Sequence, residues 1–230
     1  VMVTEFVGTN RLGDTIGLVI ANIDSQLKEK MNIGTRYNSI GIVGARTGAG
    51  PHIFAADEAV KSTNSEILSI ELPRDTKGGG GHGSLIIFGA DDVSDVRKAV
   101  EICLADLERT FGDVYGNDAG HLEFQYSARA SQALVKGLGA EKGKAFGITV
   151  ASPAAIGVIL ADTAVKAAAV EVRAYSSPGH GTSYSNEVIL GISGDSGAVK
   201  QAIISAREVG IELLAAMGDR PESTTKPYIL

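Results

Sequence analysis

The stretch Leu160–Val172 reads LADTAVKAAAVEV, and about 105 residues earlier Ala55–Ile67 reads AADEAVKSTNSEI. Both carry Ala-Asp-x-Ala-Val-Lys, followed at the same distance by Glu and a β-branched residue. The first part has the composition of a helix and the second that of a strand opening. One helix-to-strand passage written twice marks an internal repeat, which has to be recognised before the fold is read.

Further pairs keep the same order and nearly the same offset. SIGIVGART (Ser39–Thr47) matches AFGITVASP (Ala145–Pro153), and DSQLKEKMNIG (Asp24–Gly34) matches ASQALVKGLGA (Ala130–Ala140). DDVSDVRKAV (Asp91–Val100) matches GDSGAVKQAI (Gly194–Ile203), and TFGD ending at Asp113 matches AMGD ending at Asp219. The chain is a tandem duplication covering roughly residues 12 to 113 and 118 to 220. We expect two domains, 1–114 and 115–230.

Within each copy the periodicity switches between two and 3.6. TIGLVIAN, SIGIVGA, EILSIEL and SLIIFG read as strands. Asp24 stands where a helix N-cap belongs, before SQLKEKM. Val93, Val96, Val100, Leu104, Leu107 and Phe111 step by three and four, as on a long amphipathic helix. The second copy repeats the order. The expected fold is α/β, of the α+β kind, with a four-stranded sheet and packed helices in each copy.

Composition sets outer limits. Of 230 residues, 44% are hydrophobic, which suffices for a packed core. There are 29 Gly, no Trp and only 5% aromatics, so backbones are expected to approach closely. The net charge of −6 and the lack of a Lys/Arg cluster argue against a nucleic-acid partner. The lone Cys103 forms no intrachain disulfide and reads as a buried core residue. No apolar run reaches the roughly 18 residues of a membrane span, and no signal peptide is seen, so a cytosolic protein without a membrane partner is expected. The opening Val-Met-Val suggests that a further N-terminal segment precedes it.

Three Gly-rich stretches invite functional readings. GARTGAGPH (Gly44–His52) lies between a strand and a helix but lacks the Lys-Ser/Thr of a phosphate loop. GGGGHG (Gly78–Gly83) is followed by a strand rather than a helix, so it reads as a loop between strands. SSPGHGTS (Ser176–Ser183) has Ser and His without a nucleophile elbow. The matched acids Asp57 and Asp162, and Glu66 and Glu171, read as solvated surface groups. No catalytic constellation, metal site or cofactor site is expected, and the protein reads as no enzyme.

LADTAVKAAAVEVRAYSS followed by GISGDSGAVKQAI resembles the shell-protein domain of bacterial microcompartments. The first copy fits more loosely, with GADDVSDV in place of Gly-Asp-x-Gly-Ala-Val. The duplication, the strand and helix added before each copy, VTEFVGT near the start, GARTGAGPHI, SIELPRDTKGG and YSSPGHGTS narrow the resemblance. It points to the tandem-domain trimeric shell proteins of propanediol- or ethanol-utilising compartments.

The resemblance implies two circularly permuted shell domains per chain and a pseudohexameric homotrimer. It implies a tile in a shell within the cytoplasm, packed beside other shell proteins, with encapsulated enzymes as further partners. It implies Lys61 and Lys166 at the tile edge. It places the loops of Gly78, Gly79, Gly80, Gly81 and His82, and of Pro178, Gly179, His180 and Gly181, around a central pore. A small channel off that axis is expected near Arg46, Thr47 and His52, with Glu123 and Tyr126 facing them. Glycerol, 1,2-propanediol or ethanol would pass there. The competing expectation is a soluble small-molecule-binding or signalling protein on a duplicated α/β domain.

Overall fold

The computed structural model describes residues 4–74, 82–181 and 185–230. The first half runs β1 (Thr4–Asn10), β2 (Thr15–Ile20), α1 (Ser25–Lys30), β3 (Ser39–Ala45), α2 (Ala49–Lys61), β4 (Glu66–Glu71), β5 (Ser84–Ala90) and α3 (Val93–Thr110). The second runs β6 (Val114–Asn117), β7 (Gly120–Ser127), α4 (Gln132–Leu138), β8 (Ala145–Ser152), α5 (Ala154–Ala167), β9 (Val170–Ser176), β10 (Val188–Gly194), α6 (Ser196–Ala215) and β11 (Glu222–Ser223). Two antiparallel sheets result, ordered β1-β2-β3-β5-β4 and β11-β6-β7-β8-β10-β9.

The four expected strands of each copy are present, and each sheet is longer by edge strands. β1 pairs with β2, and β6 pairs with β7 and β11. The two added hairpins turn on matched asparagines. Asn10 Nδ2 donates to Leu104 O, and its Oδ1 accepts from Leu12 N. Asn117 Nδ2 donates to Leu214 O, and its Oδ1 accepts from Ala119 N. An Asn side chain holding its own turn is a local cause of both hairpins. The duplicated unit therefore reaches beyond residue 12, back to the first hairpin.

In each copy the long last helix lies on the sheet where glycine permits close approach. A Cβ on Gly41 would fall 2.7 Å from Val100 Cγ2, and one on the matched Gly147 2.7 Å from Ile203 Cγ1. Asp24 caps α1 as expected, accepting from Gln26 N and Leu27 N.

The halves share a core. Phe54 on α2 stacks on Phe146 of β8 at 6.2 Å, and Ile53 packs in the same cluster with Leu134 and Ile148. Asp57 is fully buried, so the reading of a solvated carboxylate is corrected. Its Oδ1 accepts from Ala133 N (3.1 Å) and Leu134 N (3.2 Å), and both its oxygens from Ser131 N. It thus caps α4 of the other copy, whose own cap residue Ser131 makes no side-chain bond. After α6 the chain returns along the second sheet. Asp113, also buried, accepts there from Tyr228 N, Ile229 N and Arg207 Nη1.

Candidate functional site

A small cavity of about 30 Å³ lies at the junction of the two copies. α2 contributes Ala49, Gly50 and Ile53, and β8 contributes Ile148 and Val150. Its polar walls are His82, Glu123 and Glu187. His82 precedes β5, Glu187 precedes β10, and Glu123 points from β7 toward the first copy. His82 Nδ1–H donates to Glu187 Oε1 at 2.8 Å, and both side chains are buried. Glu187 Oε2 stands 3.9 Å from His121 Nε2. Burial, and then the neighbouring Glu187 charge, push the Glu123 carboxyl up to about 8. The site is an acid pair in an aliphatic chamber, able to donate and accept hydrogen bonds.

The structure separates the five residues expected at a channel. Glu123 alone of them lines the cavity. His52 is wholly buried, with Nδ1 donating to Gly48 O (2.6 Å) and Nε2 2.7 Å from Thr15 Oγ1. Burial pushes its pKa down to about 4, so it is a neutral structural group. Arg46 and Thr47 sit in the turn before α2, where both backbone amides donate to Gly13 O. Arg46 is exposed. Tyr126 opens on a separate surface hollow of about 650 Å³ with Arg109, Lys200 and Tyr228, and its hydroxyl meets Ser196.

The expected pore histidines have unlike surroundings. His82 turns inward to Glu187, while His180 is exposed in a tight turn with Ser177. Pro178, Gly179 and Gly181 belong to that turn, whereas Gly78, Gly79, Gly80 and Gly81 lie outside the described residues. Of the lysines, Lys166 is exposed and bound to Asp162 (2.7 Å). Lys61 reaches Asp57 (2.9 Å), Glu58 (2.8 Å) and Ser127 Oγ (3.3 Å), the last across the junction.

Glu187 and the buried role of His82 were not foreseen. SNEVILGIS shows a Glu at a strand start, which is the ordinary place for a solvated residue. Only the second layer, supplied by the other copy, makes it buried. Among the described residues, no cluster of three His, Cys, Asp or Glu side chains has the geometry to hold a metal ion.

A family model described as the BMC domain matches residues 39–117 and again 145–218. The bacterial microcompartment shell protein PduB of Salmonella typhimurium is 66% identical over 98% of this chain and 83% of its own. The crystal structure of a trimeric bacterial microcompartment shell protein PduB is 53% identical and superposes with a TM-score of 0.95, over 97% of this chain and 99% of that one. The crystal structure of EtuB from Clostridium kluyveri is 54% identical with a TM-score of 0.94, over 97% and 98% of the two chains.

Proposed function

The chain belongs to the BMC-domain family of bacterial microcompartment shell proteins, and from that premise we propose that it is a non-catalytic homotrimeric tile of a propanediol or ethanol compartment shell in the cytoplasm. One observation carries the trimer. The matched helices α2 and α5 are buried very differently. α2 buries ten of its 13 residues, because the second copy covers it, while α5 buries four of 14. Ile53, Phe54 and Val60 are buried, and their counterparts Val158, Ile159 and Val165 are 49%, 47% and 36% exposed. α5 thus presents an apolar face shaped like one that is covered within the chain.

The complementary surface is also present. In the junction, α2 packs on α4 and on the second sheet. The matched face of the first sheet carries Ile16, Leu18, Ile20, Ile42 and Leu85, all incompletely buried, and α1 carries Leu27 at 47% exposure. Seating α5 of one chain on α1 and this face of the next repeats the internal junction between chains. The two surfaces differ, so the contact is heterologous and closes as a ring. With two copies per chain, three chains give six quasi-equivalent positions.

The passage for small polar molecules is assigned to the junction cavity inside each chain. The register supports this. Ile16 and Gly83 are the counterparts of Glu123 and Glu187, so the junctions between chains lack the acid pair. The turn Ser177–Gly181 is assigned to the central axis, and Lys61 and Lys166 to the tile edge. A lysine stem can lie along a neighbouring tile while its ammonium meets carbonyls there. Electron microscopy of concentrated protein tests the shell role. Flat sheets or tubes are expected from the wild type, and trimers without sheets from Lys61→Ala/Lys166→Ala. Dispersed particles from both would contradict it.

A further inference from the structure

Glu187 is 1% exposed, and its Oε2 has no hydrogen-bond partner among the described residues. Glu123 is 7% exposed and borders the same cavity. A buried carboxylate oxygen without a donor is costly. The cavity therefore favours an occupant that brings an O–H. Resting on the passage proposed above, we infer that the Glu123–Glu187 pair is its charge filter, admitting neutral hydroxyl compounds and turning back anions of the same size.

The groups around the pair leave few other arrangements. His121 and Glu123 face it from β7, Glu187 from the approach to β10, and His82 from the approach to β5. The walls from α2, α4 and β8 are aliphatic or glycine. His82 spends its Nδ1–H on Glu187 Oε1. A carboxyl buried beside another acid in one aliphatic chamber does not ionise readily. The rise of Glu123 to about 8 through burial and the Glu187 charge accords with this. A protonated Glu123 donates and the unpartnered Oε2 of Glu187 accepts, and an alcohol hydroxyl does both. A carboxylate offers acceptors only and adds a second negative charge where the dielectric is low. The cavity volume of about 30 Å³ is that of a water or so, so a larger alcohol enters only as wall side chains swing aside.

The test compares 1,2-propanediol with lactate, which keeps the three-carbon skeleton and carries a carboxylate. Saturation transfer from the trimer to each probe is recorded at about pH 6 and about pH 10. Gly50→Ala serves as the filled-cavity control. Its methyl would stand 3.2 Å from Glu123 Oε2, and transfer that survives it comes from elsewhere and is subtracted. The wild type is expected to show transfer to the diol at low pH, a drop of about fivefold or more at high pH, and none to lactate. In Glu123→Gln the diol signal persists and the drop disappears. With carboxyl-labelled glutamate, one carbon resonance titrates near 8 in the wild type and is missing from that variant. Equal transfer to lactate and diol, or diol transfer independent of pH in the wild type, overturns the filter and leaves the passage standing. No diol signal from any form at any pH overturns the passage, and the filter with it.

Discussion

Glu123 and Asp57 are carboxylates buried at the same junction with opposite chemistry. Asp57 faces three backbone amides and is a cap, while Glu123 faces aliphatic walls and another acid. The folded pKa of Glu123 is raised, so its contribution to stability is fully present below its ordinary value of 4.5 and is lost as pH climbs to about 8. Glu123→Gln should remove this loss. Urea unfolding at fixed protomer concentration is expected to show the variant gaining on the wild type across that window, by on the order of a few kcal/mol at its upper end. A constant difference from pH 5 to 9 would show that Glu123 titrates normally. Asp57→Ala strands the amides at the start of α4 and should cost about 1–3 kcal/mol, whereas the matched Asp162→Ala, at an exposed site, should cost under about 0.5 kcal/mol in the dissociated chain. Neither distinction was legible in the sequence, where Asp57 and Asp162 occupy the same motif. Burial by the other copy separates them, and no local pattern records it.

The long helices and the inner strands were legible because each is long enough to show its period, while the six-residue α1 was legible from its Asp24 cap. The added strands β1, β6 and β11 were not. β6 has four residues including Gly and Asn, and β11 has two. Their pairing comes from matched Asn turns and from the returning C-terminal segment, which are contacts at long range. The helices α2 and α5 also look alike in sequence, yet one is a core helix and the other a half-exposed one. That contrast makes an element-level prediction. Ile159→Asp places a charge on the open face of α5 and should abolish the trimer while leaving a folded monomer, read by circular dichroism and light scattering. Phe54→Asp, at the counterpart buried against Phe146, should leave no folded chain. If both variants stay trimeric, α5 is not an interface.

At the scale of the whole molecule, the account states that a junction made once inside the chain is made again between chains. The repeat that predicts it was plain in the sequence, as was the family resemblance. The site was only partly legible, because its walls come from both copies: Glu123 alone of the residues expected at the channel reaches it, beside His82, which was expected at the central pore. The most direct test bridges the second junction covalently. Inside the chain, a Cβ on Gly137 of α4 would lie 3.4 Å from Ile53 Cγ2 on α2. Their counterparts are Met31 at the end of α1 and Val158 on α5. Atoms this close are within reach of a disulfide after small backbone adjustment. The native Cys103 is buried, and burial pushes its thiol up, so it stays out of the reaction. Oxidised Met31→Cys/Val158→Cys protein, weighed under denaturing non-reducing conditions, should give covalent species of two and three chains and nothing larger, with neither single variant bridging. Unbridged chains in the double variant, or a ladder running past three, would contradict the account.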